Sequence, residues 1–335
     1  MRMTLKKIGE LTDVSVACVS NIINGKTAEY SKETIERVQS VVEKYHYRPN
    51  SIAKSMVTKS TMTLGLVLPD INNPYYPELA KGVEAKAFEL GYNVIYLNSD
   101  EDAKKEKEIF DLLVQKMVDG IIFIPSVNSI ENKKVIEDLP VPLVMVDRYI
   151  DVKVRGGEII ADDYLGARIA TKHLIENGHK NIWFLSGDRL HGIGSDRARG
   201  YLDELKENHL SEQKENMMIG NYSVEFGYEI VTKLWKEQRF CDAIFACSDM
   251  IAIGAVQALK DLGVSVPTDV SIVGYDDIYM SRYIDPALTT IYQPKYNMGA
   301  EAAKMLIELI NSKDNRIVER KKVLKPKLVK RNSVN

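Results

Sequence analysis

Residues 13–25 read DVSVACVSNIING. A serine follows an acidic turn residue, Val16, Val19, Ile22 and Ile23 give a short helix an oily side, and Asn24-Gly25 stops it. The opposite side carries Ser15, Ala17, Cys18, Ser20 and Asn21. Surface helices ordinarily place charged residues there. A face stripped of bulk and charge suits a helix pressed against base edges, where small side chains fit and carboxylates would meet phosphate repulsion.

The neighbouring residues frame this segment. Thr4 is placed to cap a helix running to Leu11, with Leu5, Ile8 and Leu11 inward. Thr12-Asp13-Val14 forms the turn, and Asp13 tolerates a left-handed backbone. Ser15 caps the second helix. Ser31 caps a third, with Ile35, Val38, Val42 and Tyr45 on one face, and Arg48-Pro49 ends it. Two short helices, a tight turn and a bracing third helix make a helix-turn-helix unit, whose second helix enters the major groove. Residues 1–58 hold nine Lys/Arg against six Asp/Glu in a chain of net charge −2, so positive charge gathers where DNA would lie.

The stretches TLKKIGELTDVSVACVSNIINGK and SKETIERVQSVVEKYHYRPNSIAKSM resemble the amino-terminal domain of the lac repressor family of bacterial transcriptional regulators. That family's pattern is V-S-x-x-T-V-S-x-x-L-N-G, then Y-x-P-N-x-x-A-x-x-L at a hinge. Here Gly9 stands where Ala is usual, Asp13 where Gly is frequent, Cys18 for Thr, Asn21 for a frequent Arg, and Met56 for Leu. Arg reaches guanine O6/N7 whereas Asn matches adenine N6/N7, so the operator base opposite Asn21 is expected to differ from the family's usual guanine. The resemblance implies a hinge helix over residues 47–56, with Met56 as a minor-groove wedge, the alternative being a plain linker residue. Residues assigned to DNA are Thr4, Ser15, Val16, Ala17, Ser20, Asn21, Asn24, Tyr47, Asn50, Ala53, Lys54 and Met56.

The chain has 335 residues, enough for two or three units. It is 45% hydrophobic and 27% charged, as globular proteins are. Three cysteines without a C-x-x-C make no disulfide framework, and a reducing compartment is the simpler expectation. No apolar run reaches a membrane span, and MRMTLKKIGELTD lacks a signal-peptide core, so a cytoplasmic protein without a membrane partner is expected.

From Thr63 onward, strand-like runs at 64–69, 93–98, 120–125, 142–147, 181–186, 243–248 and 271–276 alternate with helical stretches such as 77–90. Near-continuous apolar strands with intervening helices predict an α/β fold of parallel sheets covered on both faces. One lobe is expected over 63 to about 160 and another over about 163–290, with later crossovers. DINNPYYPELAKGVE, DGIIFIP, GHKNIWFLSG, FACSDMIAIGA, DVSIVGYDD and LTTIYQP extend the resemblance, which implies a two-lobed, periplasmic-binding-protein-like effector domain. The expected organisation is a DNA-binding domain at 1–48, hinge and linker at 49–60, and effector and dimerisation domain at 61–335.

Ligands bind such sheets at strand carboxyl ends. The candidates there are Asn73, Tyr75, Tyr76, Arg148, Arg197, Tyr222, Ser248, Asp249, Asp276 and Gln293. Carboxylates and guanidinium forks pair with adjacent hydroxyls, and aromatic faces cover sugar rings. Against this, Arg148, Arg197 and Asp276 have an alternative as interlobe salt bridges, Tyr75 and Tyr76 as packing, and Asp162 and Asp163 as helix caps. The five histidines show no metal spacing, HGIGSDRARG is a loop without the third glycine of a dinucleotide motif, and the charged run 101–108 reads as a solvated first turn. Neither metal nor cofactor is expected, and no nucleophile–base pair supports an enzyme.

These readings converge on a transcriptional regulator of carbohydrate genes, usually a repressor, that binds palindromic operator DNA as a homodimer under control of a small-molecule effector. A pentose is favoured by the NPYY and YDDI stretches, which resemble ribose repressors. The alternatives are a free two-lobed sugar receptor and a catabolite regulator whose corepressor is a phosphorylated carrier protein. Sequence leaves inducer and corepressor equally open.

Overall fold

The computed structural model describes residues 3–47, 60–126, 128–187, 193–210, 214–312 and 320–335. The chain divides into two compact units, Met1–Thr61 and Met62–Asn335.

The first unit holds α1 (Leu5–Thr12), α2 (Val16–Ile23) and α3 (Lys32–Lys44). Each begins on a hydroxyl cap: Thr4 accepts from the Lys7 amide at 3.2 Å, Ser15 from Cys18 at 3.1 Å, and Ser31 from Thr34 at 3.2 Å. Such caps satisfy an otherwise orphaned donor and contribute about 1 kcal/mol each. Asp13 takes the left-handed conformation, φ 51°, that turns α1 into α2. Ile8, Cys18, Val19, Ile22 and Val38 form the core.

Three expectations are corrected. Leu11 and Tyr45 do not face inward; they are 47% and 45% exposed. Helix α1 instead presents Ile8, Gly9 and Thr12, because a Cβ at Gly9 would lie only 2.8 Å from the Val14 carbonyl oxygen. Leu11, two residues and so about 200° of helix turn after Gly9, then faces outward. Cys18 leaves the small outer face, since with Val19 and Ile22 it makes the buried i, i+1, i+4 stripe, while Val16 on the far side is exposed.

The second unit has two lobes. The first runs β1 (Thr63–Leu68), α4 (Tyr75–Glu89), β2 (Asn93–Asn98), α5 (Ala103–Gln115), β3 (Gly120–Phe123), α6 (Lys133–Glu137), β4 (Leu143–Val146) and β5 (Gly156–Ala161). The second runs α7 (Asp163–Glu176), β6 (Ile182–Gly187), α8 (Ile193–Glu207), β7 (Met217–Gly220), α9 (Val224–Lys236), β8 (Ala243–Ala246), α10 (Asp249–Asp261), β9 (Ser271–Asp276) and β10 (Thr289–Tyr292). The chain then returns with α11 (Lys295–Asn311) and β11 (Arg320–Leu324) to the first lobe and ends with β12 (Lys327–Val329) in the second.

The sheets are six-stranded, ordered β11-β5-β4-β3-β1-β2 and β12-β10-β9-β8-β6-β7. Every pair in the first sheet is parallel, with Val67 opposite Phe123 and Leu66 opposite Tyr96. The second departs from the all-parallel expectation, because β12 joins β10 antiparallel, with Ile291 opposite Leu328. A short strand arriving directly from the other lobe has no helical crossover to force parallel pairing.

Strand period sorts the cores. Leu64, Leu66 and Leu68 pack with Leu79 and Val83 of α4 and Met298, Ala302 and Leu306 of α11, while Val67 faces Phe110 and Leu113 of α5. In the second lobe Leu185 and Ile244 pack under α9 and α10, and Phe184, Phe245 and Tyr275 under α7 and α8. Each fully buried side chain of this size contributes roughly 1.5–3 kcal/mol. Three further expectations yield. The HGIGSDRARG stretch is not a loop throughout, since from Ile193 it is the first part of α8. Edge strand β2 is largely exposed, and the charged run 101–108 is not uniformly solvated. Glu106 is fully buried, accepting from Ser129 Oγ at 2.6 Å, the Ser126 amide at 3.0 Å and Asn132 Nδ2 at 3.1 Å. A buried carboxylate is tolerated because its acceptor sites are filled.

Candidate functional site

The outward face of α2 carries Ser15, Val16, Ala17 and, after the helix, Asn24 as exposed residues, with Ser20 and Asn21 half-buried. No charged side chain lies on this helix. Asn21 donates through Nδ2 to the Tyr30 hydroxyl at 2.9 Å. Asn24 Nδ2 donates to the Ser20 carbonyl at 2.7 Å, closing the helix end. Thr4 is exposed beside the start of α1, its hydroxyl oxygen occupied by the cap. Tyr47 packs against the core of this unit. Asn50, Ala53, Lys54 and Met56 lie outside the described residues.

In the second unit the strand ends of both lobes bring together Tyr75, Asp147 and Arg148 on one side and Arg197, Tyr222, Asp276 and Gln293 on the other. Tyr75 opens α4, and its hydroxyl donates to Asp147 Oδ1 at 2.5 Å. Arg148, one residue beyond, pairs with Glu101 at 2.8 Å, donates to the Pro125 carbonyl at 3.3 Å, and lies 6.0 Å from the centre of the Tyr222 ring. That ring rests on the end of β6, where a Cβ at Gly187 would come within 2.2 Å of it.

Arg197, 4% exposed, pairs through Nε with Asp163 at 3.0 Å and donates through Nη1 to the Cys247 carbonyl at 2.6 Å. Its guanidinium stacks 3.9 Å over the Tyr275 ring, whose hydroxyl donates to the same Asp163 oxygen at 2.7 Å. Gln293 donates through Nε2 to Asp276 Oδ1 at 2.8 Å, and its Oε1 is buried without a partner.

Burial shifts these acids. It pushes Asp163 up to about 6 and Asp276 up to about 8, in both cases against the pull of Arg197. Burial also raises Asp147 above the usual carboxylate range, opposed by Arg148 and the Tyr75 hydrogen bond. The cleft therefore offers forked donors already paired, carboxyls of raised pKa, and aromatic faces.

Other candidates serve the scaffold. Asn73 Oδ1 accepts from the Tyr75 amide at 3.0 Å at the entrance to α4. Tyr76 is buried with its ring edge-on to Tyr75, 5.2 Å between centres. Ser248 caps α10, accepting from the Ile251 amide at 3.2 Å. Asp249 accepts from the Ile278 amide at 2.8 Å and from the Ser281 and Thr290 hydroxyls, each at 2.5 Å. Neither Arg148 nor Arg197 makes a salt bridge across the lobes; each pairs with a carboxylate of its own lobe. The joint reading of Asp162 and Asp163 as caps is corrected for one of them. Asp162 accepts from the Leu165 amide at 3.0 Å, but Asp163 belongs to the Arg197 cluster.

The sequence reading names neither Asp147, Tyr275 nor Lys295, and takes Asp163 only for a helix cap. Asp147 was visible in VMVDR, and its φ of 68° marks the turn that carries Arg148 into the cleft. Nothing local marks Asp163 or Tyr275, which meet Arg197 only through the fold.

Residues 4–50 match the family "Bacterial regulatory proteins, lacI family", and residues 171–334 match "Periplasmic binding protein-like domain". The chain is 32% identical over 331 residues to the HTH-type transcriptional repressor PurR of Actinobacillus pleuropneumoniae serotype 3 (strain JL03), covering 99% of this chain and 98% of that protein. It is 34% identical over 311 residues to the ribose operon repressor of Halalkalibacterium halodurans, covering 92% and 91%. Among solved structures, the transcriptional regulator CelR–cellobiose complex superposes with a TM-score of 0.75 at 27% identity, covering 99% of this chain and 100% of that one. No helix among the described residues is long and apolar enough to cross a membrane.

Proposed function

The chain belongs to the lacI family of bacterial regulatory proteins, and from that membership we propose how it works: α2 reads an operator half-site, and the cleft of the second unit holds a neutral, polyhydroxylated small molecule that sets operator affinity. It is a sequence-specific DNA-binding transcriptional regulator, as its relatives are named. One recognition helix reads only a half-site, so the working form is a homodimer on a palindrome. It acts by binding, not by turnover.

The observation that carries the effector reading is the orphaned Gln293 Oε1, buried beside Asp276 with no donor. Such an acceptor is costly unless a ligand N–H or O–H fills it. Adjacent carboxyl, amide and guanidinium groups match neighbouring hydroxyls. Arg148 and Arg197 each already have their charge compensated by a carboxylate, so a phosphorylated ligand would add uncompensated anionic charge beside Glu101 and Asp163. The contact set is Tyr75, Asp147, Arg148, Arg197, Tyr222, Asp276 and Gln293, with Asn73, Tyr76, Ser248 and Asp249 holding it in place. A catabolite regulator with a protein corepressor is not favoured, since these buried polar groups suit a small molecule; a free receptor would have no use for the first unit.

Calorimetry of the full chain against D-ribose, other neutral sugars, sugar phosphates and purines tests this. A neutral sugar should bind, and Gln293→Ala should weaken it about tenfold, the worth of one buried hydrogen bond. Binding of only phosphorylated sugars or purines overturns the effector reading.

A further inference from the structure

Lys295 is the first residue of α11, and its side chain is fully buried. Burying an ammonium is expensive unless every N–H finds an acceptor. A positive charge at a helix amino terminus is also disfavoured by the helix dipole, and the first turn of α11 holds no acidic residue to offset it. The residue is therefore poorly placed for stabilising its own helix.

Its partners explain it. The ammonium donates to the Asp276 carbonyl, lies 3.2 Å from the Asp277 carbonyl, and pairs with Glu78 Oε2 at 3.3 Å. Three N–H groups thus have three acceptors. The Tyr292 and Tyr75 rings lie 5.3 and 6.0 Å from the charge. These partners are split between lobes: Asp276 ends β9 of the second and Asp277 follows it, whereas Glu78 lies one turn into α4 of the first, three residues after Tyr75. Asp276 and Asp277 have φ values of 114° and 50°, rare for residues with a side chain. Two carbonyls turned toward one cation hold that backbone in place.

We propose that Lys295 is a positioning residue, an ionic strut that ties the Asp276 strand end to the start of α4, so that a ligand engaging one lobe at Asp276 is registered by the other at Tyr75. The strut is independent of any ligand; its role in signalling rests on the effector reading above. Lys295 reaches the effector residues through the Asp276 backbone, the Gln293 carbonyl, to which its amide donates at 2.8 Å, and the Tyr75 ring. Helix α11 packs against α4 at mutual glycines, so the two helices that carry Lys295 and Glu78 are in direct backbone contact.

Hydrogen–deuterium exchange on the full chain tests this with Lys295→Met and Glu78→Gln. Glu78 is 40% exposed, so its neutralisation leaves a folded protein even where Lys295→Met does not. Without ligand, segments 75–80 and 276–284 should both exchange at least threefold faster in Glu78→Gln, while β2 and β7 keep parent rates. With D-ribose as the probe, protection should reach both segments in the parent and only 276–284 in Glu78→Gln. Parent-like exchange in 276–284 of Glu78→Gln overturns the strut, as does acceleration spread evenly over the chain. If D-ribose protects nothing in the parent, the choice of effector fails while the ligand-free comparison still decides the strut.

Discussion

The Asn21 amide donates to the Tyr30 hydroxyl at 2.9 Å, so the side chain proposed to read the operator is anchored by the loop that follows its helix. Anchoring fixes which way the amide can point, and a fixed amide discriminates bases better than a free one. Removing the anchor by Tyr30→Phe should weaken operator binding about three- to tenfold and broaden the base preference opposite Asn21, by the worth of one hydrogen bond. Binding-site selection on both proteins measures this. Asn21→Arg should shift that base toward guanine.

Arg197 and Asp163 form a buried pair within one lobe. Arg197→Met leaves the Asp163 charge uncompensated and should cost about 3–5 kcal/mol in urea unfolding. Adding Asp163→Asn should recover at least about 1 kcal/mol of that loss, because the stranded charge disappears with it. Additive losses in the double variant would show that the two residues act separately.

Asp276 makes stability depend on pH in an unusual sense. Burial pushes its pKa up to about 8 in the folded chain, against an unfolded value of 3.8. Between these values the folded state holds more protons than the unfolded, so stability falls as pH rises through the window and levels off above about 8. Asp163 and Asp249, both at about 6, add to the same slope over its lower half. Asp276→Asn should flatten the slope, gaining up to about 5 kcal/mol relative to the parent at pH 8.5 and little at pH 4. Thermal unfolding across that range checks it.

Helices α4 and α11 meet backbone to backbone. A Cβ at Gly82 would lie 2.0 Å from the Tyr296 carbonyl oxygen, and one at Gly299 2.1 Å from that of Leu79. Either Gly→Ala substitution should lower stability by about 1–3 kcal/mol, as overpacking does. The helices behind the cleft would be forced apart, so ligand affinity should fall with it. Unfolding and calorimetry on the same preparations separate the two effects.

Much of this was legible in the sequence because it is written locally. Thr4, Ser15 and Ser31 announce helix starts, and each caps one. Apolar runs alternating with helical stretches announce the sheets. Legibility ends where a side chain's environment comes from distant segments. Cys18 looks like a small polar-face residue until the Val19 and Ile22 stripe is closed by α3. Glu106 looks solvated until Ser126 and Ser129 fold over it. Asp163, Tyr275 and Lys295 carry no local mark at all, since their partners lie 34, 112 and 19 residues away in sequence.

The central claim is that the uncharged face of α2 reads duplex DNA. Fluorescence anisotropy of the purified full chain on a palindromic duplex recovered by selection, against the same duplex scrambled at 150 mM salt, tests it directly, with and without neutral sugars. The selected duplex should bind at least about a thousandfold more tightly in one of those two states. Equal affinity for both duplexes in every condition would contradict the account.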